Sequence, residues 1–170
     1  IFIFKLVNSN RSCFLVSSFK IFLEPIGFVQ TEAVGKEVRE KDVISRIVLR
    51  KELSEALDGL ADFSHIFVLF WLHEISDKER KVLKVRPRGR SDMPLLGIFA
   101  TRTPHRPNPI GLTRVRLLNI EDNVVTVQGL DAFNGTPVLD IKPFDAWDTT
   151  EEFQVPKWWI QLEDEIKNKK

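Results

Sequence analysis

Two strand-like runs, Leu112-Thr113-Arg114-Val115-Arg116-Leu117-Leu118-Asn119-Ile120 and Val124-Val125-Thr126-Val127-Gln128-Gly129-Leu130, are separated only by Glu121-Asp122-Asn123. That spacing predicts a β-hairpin closed by a short polar turn. Thr113, Val115 and Leu117 alternate with Arg114 and Arg116. One face of the first strand is therefore apolar and the other basic near its start. Upstream, Ile66-Phe67-Val68-Leu69-Phe70-Trp71-Leu72 is a continuous apolar run of strand length. It predicts a central strand covered on both faces. Val43 to Leu49 is rich in β-branched residues and reads as a strand, as do Leu95 to Phe99 and Val138 to Ile141. Ile21 to Val29 reads as a strand broken at Pro25 and Gly27. Leu53, Ala56, Leu57 and Leu60 recur at helical spacing and predict a short amphipathic helix, with Gly59 capping its end. A last helix begins at Pro156, with Trp159, Leu162 and Ile166 as its apolar stripe. Thr31 to Asp42 and Ser76 to Met93 are charged connections. Many short strands and few helices predict a mainly β fold, an antiparallel-rich barrel with a few short helices.

The length suits one domain with a real core. Lys and Arg total 25 against 24 for Asp and Glu, a formal net charge of +1. That argues against a histone-like or tail-driven nucleic-acid binder, while leaving room for a local basic patch. The single cysteine, Cys13, forbids a disulfide within the chain and suits a reducing compartment, hence a cytoplasmic protein. No apolar run approaches the length of a membrane span. His65, His73 and His105 lack zinc-ligand spacing, so no metal is expected. Residues 1–20 run apolar, polar, apolar, without the order of a secretory signal. They read as a leader or upstream extension outside the fold, and residues 21–170 as the single domain.

The stretch Thr101-Arg102-Thr103-Pro104-His105-Arg106-Pro107-Asn108-Pro109-Ile110-Gly111 is of another kind. Each of the three prolines fixes φ and removes a donor, and the residue before each is pushed to an extended conformation. The result is a stiff loop, neither helix nor paired strand. It presents Arg102, His105, Arg106 and Asn108. The guanidiniums suit carboxylates or phosphates, and the amide suits a base edge or a backbone turn. Spacing alone leaves a functional loop and a plain connector with solvated arginines equally open.

This stretch, from Phe99 to Arg102 and from Arg106 to Leu112, resembles the signature of the TrmO (YaeB/TsaA-like) family of S-adenosylmethionine-dependent tRNA methyltransferases. A second string matches downstream, Asp131-Ala132-Phe133-Asn134-Gly135-Thr136-Pro137-Val138-Leu139-Asp140-Ile141-Lys142-Pro143-Phe144. Shorter matches are Glu24 to Gly27, Gly59-Leu60 with Phe63 to His65, and Arg86 to Arg90. The resemblance runs from Glu24 to about Asp148. It implies a closed β-barrel unlike the usual Rossmann methyltransferases. It also implies S-adenosylmethionine as cofactor, and a homodimer with the cofactor near the subunit interface. The reaction it implies is methylation of N6 of N6-threonylcarbamoyladenosine beside the tRNA anticodon.

Carried over residue by residue, the resemblance implies cofactor contacts from Arg39, His73, Glu74, Arg102, Leu112 and the segment Asp131, Ala132, Phe133, Asn134 and Gly135. Val38-Arg39-Glu40 keeps only the arginine of the family's Pro-Arg-Gln motif, and the family usually has another residue where Glu74 stands. The chemistry agrees: Arg39 or Arg102 pairs with a carboxylate, Asp131 accepts from an ammonium or hydroxyl, and Leu112 and Phe133 sandwich an adenine. Asp131 and Asp140 are the candidate general bases. Asp140 and Lys142 also flank Ile141 on one side of a strand, where a plain ion pair is the equal alternative. Arg86, Arg88, Arg90, Arg106, Asn108 and Lys142 are the candidate contacts to the anticodon stem-loop. The competing functions are a methyltransferase of the same fold acting on a small molecule or another RNA, and a non-catalytic cofactor- or RNA-binding module.

Overall fold

The computed structural model describes residues 21–167. The reading of residues 1–20 as a leader lies outside the described residues.

Six strands close into one antiparallel barrel: β1 (Gly27–Gln30), β2 (Ile44–Leu49), β3 (His65–Trp71), β6 (Ile110–Glu121), β7 (Val124–Gln128) and β8 (Pro137–Pro143). Their order around the barrel is β1-β2-β7-β6-β3-β8. The two remaining strands, β4 (Lys84–Val85) and β5 (Leu96–Gly97), pair with each other off the barrel. One helix, α1 (Lys157–Lys167), follows.

The predicted hairpin is β6–β7, paired from Glu121↔Val124 to Arg116↔Gln128. Asp122 takes the left-handed conformation its tight turn demands, with φ of 51°. The predicted central strand is β3, which pairs with β6 on one side and β8 on the other. Its alternate residues Ile66, Val68 and Phe70 are buried, while the intervening ones are half-buried on the outer wall. The inward positions of the other strands complete the filling: Val29, Ile47, Leu49, Val115, Val125, Val127 and Val138. Six short strands leave an interior just wide enough for these side chains, so the barrel is a packed core and not a channel. Register shifts between Leu69 and Phe70 and between Leu117 and Asn119 supply the bends that closure needs.

Three expectations are corrected. The Leu53–Leu60 segment is not an α-helix but two 3-10 turns, Lys51–Leu57 and Leu60–Asp62, divided by Gly59 at φ 80°. Only Leu57 is fully buried there. A 3-10 turn rises about 2 Å per residue, so it carries the chain further from β2 to β3 than an α-helix of equal length. The strand at Leu95–Phe99 shrinks to Leu96–Gly97, because the chain turns again at Ile98–Ala100. The stripe of α1 is buried only at Leu162, with Trp159 and Ile166 about two-fifths exposed. Polar contacts hold this helix instead: Arg90 reaches Glu165 from the β4–β5 region.

Gly111 shows how tightly the interior is filled. It lies opposite Phe70 on the inner side of β6. A Cβ there would fall 2.3 Å from the Phe70 ring. The glycine in Pro109-Ile110-Gly111-Leu112 is therefore a packing requirement of the barrel. We expect Gly111→Ala to displace the Phe70 ring and destabilise the domain by about 1–3 kcal/mol, as overpacking does. Thermal denaturation measures this, and an unchanged midpoint would contradict the packing account.

Candidate functional site at one end of the barrel

Antiparallel pairing sends alternate connections to opposite ends of the barrel. The connections 31–43, 72–109 and 129–136 therefore share one end, and they carry every residue expected at the cofactor except Leu112.

The last of them shows how the chain builds the site. Leu130 and Ala132 are buried, while Asp131 and Phe133 face outward. This period of two continues strand geometry into the loop, so two apolar anchors present one carboxylate and one aromatic ring. The loop then closes across β1: Gly135 N donates to Val29 O at 2.8 Å, and Thr31 N donates to Asn134 Oδ1 at 3.2 Å. Gly135 sits at φ 78°, a turn conformation that a side chain would strain.

In the first connection, Val38 is buried within the turn Glu37–Arg39. This valine anchors the turn, and Arg39 is held at the surface. Arg39 Nε lies 4.0 Å from Asp131 Oδ1, with both side chains more than half exposed. Such a pair is worth under about 1 kcal/mol. Burial raises the proton affinity of Asp131 above that of an ordinary carboxylate, and the nearby Arg39 opposes this less strongly. At the end of β3, His73 Nδ1 is 3.5 Å from the hydroxyl of buried Thr136, which ties it to the same loop. Glu74 is exposed beside it. Arg39, His73, Asp131, Phe133, Asn134 and Gly135 are thus brought together.

The proline-rich loop is neither helix nor strand over residues 101–109, and its polar side chains divide into two groups. Arg106 turns back, donating to the carbonyls of Ile98, Thr101 and Thr103, with its guanidinium 5.8 Å from the Phe99 ring. His105 Nε2 faces Glu79 Oε1 at 3.5 Å. Arg102 and Asn108 are exposed, and among the described residues the Arg102 side chain has neither a hydrogen bond nor an ion pair. Leu112, the third residue of β6, faces outward beyond the loop and is 58% exposed.

Several expected RNA contacts are committed elsewhere. Arg90 is held by both Asp92 and Glu165, which neutralise it and raise its already high proton affinity. Arg86 donates to the carbonyl of Met93, and Lys142 is bound to Asp140 at 2.7 Å. Arg86, Arg90 and Arg106 therefore act first as internal braces, Arg86 and Arg106 on backbone carbonyls that need donors and Arg90 on two carboxylates. Arg88 remains exposed at φ 55°. Asp140 stands within β8 opposite Leu69, not in the loop of Asp131. It also lines a cavity of about 550 Å³ beside Leu49, Leu57 and Phe63, apart from the loops that carry Arg39 and Asp131.

Sequence reasoning missed Arg80. It sits in a charged run that reads as solvated surface. In the fold its Nε and Nη2 both donate to Pro107 O, at 3.0 and 2.9 Å, and its guanidinium lies 5.6 Å from the Trp71 ring. Ser76 and Glu79 cap the turn that carries it, and those hydrogen bonds lower the pKa of Glu79. The pattern Ser76-Asp77-Lys78-Glu79 was the available signal.

A family model for the tRNA-methyltransferase O N-terminal domain matches residues 29–148. The chain belongs to the tRNA-methyltransferase O family. It is 42% identical over 137 residues to a probable S-adenosyl-L-methionine-binding protein of Methanocaldococcus jannaschii, covering 80% of this chain and 98% of that one. It is 38% identical to a tRNA (adenine(37)-N6)-methyltransferase of Rattus norvegicus, covering 74% of this chain but 31% of that one. A crystal structure of TrmO aligns with a TM-score of 0.66 at 33% identity, covering 81% of this chain and 64% of that chain. The chain therefore corresponds to nearly all of the archaeal relative and to less than two thirds of the TrmO crystal chain. The matched span contains every member of the loop end described above.

If Arg80 fixes the TrmO-type loop, Arg80→Ala should free residues 101–109 while leaving the barrel folded. We expect amide hydrogen exchange there to accelerate at least tenfold, with about 1–2 kcal/mol lost in global stability. Unchanged exchange in the loop would show that the prolines alone hold it.

Proposed function

We propose that this chain transfers a methyl group from S-adenosylmethionine to the N6 nitrogen of an adenine in tRNA, the adenine being N6-threonylcarbamoyladenosine beside the anticodon. The observation that carries this reading is the meeting at one barrel end of the part-buried carboxylate of Asp131 with Arg39, His73 and the exposed Phe133, with the proline-rich loop of that end bearing Arg102, which has no partner among the described residues, in a chain of the TrmO family.

The donor set fits the cofactor. Its carboxylate needs a cation, its ammonium and ribose need an acceptor, and its adenine needs apolar cover. S-adenosylmethionine supplies a methyl group on a sulfonium, open to direct displacement. Arg102, with no partner among the described residues to give up, takes the carboxylate, and Arg39 stands second to it because Asp131 already faces it. Asp131 accepts from the ammonium or the ribose. Phe133 and Leu112, 36% and 58% exposed, cover the base. Ala132 is buried and contributes through its backbone, the amide NH2 of Asn134 has no partner among the described residues, and Gly135 leaves open space where a Cβ would project. His73 and Glu74 edge the same site.

Methyl transfer requires the attacking nitrogen in line behind the carbon, and most of the acceleration comes from holding that arrangement. The rigid loop and the cross-linked turn of Asp131–Gly135 supply fixed walls for it. The N6 nitrogen is a weak nucleophile, so removing its proton helps. Asp131 is the stronger candidate base, because burial raises its proton affinity. Asp140 is already bound to Lys142. Arg88 and Asn108 are the free contacts to the anticodon arm, with Arg86 and Arg106 adding charge without giving up their braces. The exposed Leu95, Phe99 and Leu112 support a homodimer, and tRNA as substrate supports a cytoplasmic location.

Incubation with labelled S-adenosylmethionine and total tRNA should label the tRNA. Labelling that persists in tRNA lacking the threonylcarbamoyl group would reject that acceptor, and calorimetry showing no cofactor binding would reject the whole reading. Arg102→Ala should weaken cofactor binding about 10–100-fold with an unchanged melting temperature. As pH falls, binding should decline earlier than an ordinary carboxylate predicts, because the raised pKa of Asp131 protonates it sooner. Asp131→Asn should flatten that acid limb, and a wild-type profile that is flat down to the usual carboxylate range would exclude Asp131.

A further inference from the structure

The outer wall of the barrel carries a feature that the loop end does not explain. On β6, Leu112, Arg114 and Arg116 lie on one outward face, each two residues from the last. Strand geometry spaces them at roughly 7 Å, so the row runs from the cofactor end down the wall for about 14 Å. Across β3 and β8 the register aligns Arg114 with Phe67 and Lys142, and Arg116 with His65, whose carbonyl accepts from Phe144 N. The guanidinium of Arg114 lies 4.8 Å from the centre of the Phe144 ring, and Phe67 and His65 both meet that ring edge-on. The wall is thus a platform of two guanidiniums, an imidazole and two aromatic rings.

Charge separates this patch from the arginines that are paired. Arg39, Arg50, Arg80 and Arg90 all have carboxylate partners. Among the described residues Arg114 and Arg116 have none, as is also true of Arg46, Arg86, Arg88, Arg102 and Arg106, but these two stand side by side on one strand, and Asp140 on nearby β8 is bound to Lys142. Two exposed guanidiniums fixed on a rigid strand and left unneutralised suit a polyanion. Arginine over aromatic surface is also the combination that holds single-stranded nucleic acid through its backbone and bases.

We propose that the β6 wall is an RNA-docking surface. The nucleotides flanking the methylated adenine run along it, with phosphates on Arg114 and Arg116, while the adenine reaches the loop end beside Leu112. This proposal rests on the tRNA reading above and adds a contact surface that is separate from the two loops. A phosphate contact of this kind orients the RNA without reading its sequence.

The test is binding of unfractionated tRNA by fluorescence anisotropy over a series of KCl concentrations. Affinity for S-adenosylmethionine and melting temperature are measured alongside. Replacing both arginines, R114Q with R116Q, should weaken tRNA binding at least tenfold at moderate salt. The slope of log affinity against log salt should become shallower by about 1.4, two contacts at about 0.7 each. Cofactor affinity should not move. Arg114 packs on Phe144, so R116Q alone, at a position without that cation–π contact, keeps the test independent of folding and should change the slope by about half as much. The double Lys variant should restore most of the slope. Unchanged salt dependence in R116Q overturns the proposal, as does a wild-type protein that binds no tRNA. A loss of tRNA binding matched by dissociation of a dimer in sedimentation also overturns it, assigning the wall to protein contact. A wild-type protein that binds tRNA but transfers no methyl group would reject the enzymatic reading while the slope measurement still decides the wall.

Discussion

The closure of six antiparallel strands is the constraint on which the site depends. Each strand reverses direction relative to its neighbours, so the three connections at 31–43, 72–109 and 129–136 have no choice but to meet at one end. They come from sequence positions a hundred residues apart. No local interaction brings Arg39 within 4.0 Å of Asp131 or His73 within 3.5 Å of Thr136. The filled interior makes the meeting rigid: Val29, Val115, Val127, Leu130, Ala132 and Val138 pack as one cluster directly beneath the loops. Small errors in loop position are therefore resisted by the whole core, as methyl transfer requires of its scaffold.

What could be read in the sequence followed from periodicity and from rigid residues. The hairpin and β3 show themselves by alternation and by an unbroken apolar run, both consequences of backbone geometry. The two long motifs identified the family, and the stiffness of the proline-rich loop follows from fixed φ angles. The failures have physical causes too. Leu53, Ala56, Leu57 and Leu60 satisfy a helical pattern, yet the same spacing serves two 3-10 turns, and only tertiary reach decides between them. The fates of Arg86, Arg90 and Arg106 depend on carbonyls and carboxylates supplied by distant or turning chain. Arg90 meets Glu165, 75 residues away. A sequence shows that a guanidinium is present but not what faces it.

Arg80 makes the same point from the other direction. Its neighbours Asp77, Lys78, Glu79 and Lys81 suggest solvent on all sides. In the fold it is the clasp between the turn after β3 and the proline-rich loop, holding Pro107 O with two donors while its plane lies near Trp71. Proline rigidity fixes the shape of a loop but not its place. The prolines of residues 101–109 need an anchor outside themselves, and an arginine can supply one because its fork satisfies a carbonyl that the loop's missing N–H groups leave without a backbone partner.

The near-zero net charge then takes on a more exact meaning. A polyanion responds to the field at the surface it approaches, not to the sum over the chain. Salt at physiological strength screens charges beyond about 8 Å, so compensated pairs such as Arg90 with Asp92 and Glu165 contribute little even a short distance away. Arg102 at the loop end and Arg114 and Arg116 on the wall are uncompensated among the described residues. Leu112, Arg114 and Arg116 follow one another in a row down the outer face of β6. Two guanidiniums standing unpaired side by side on a fixed strand give that wall directionality: they attract an anion at one place and in one orientation. An excess of basic residues spread over the surface would attract tRNA more strongly and position it less well.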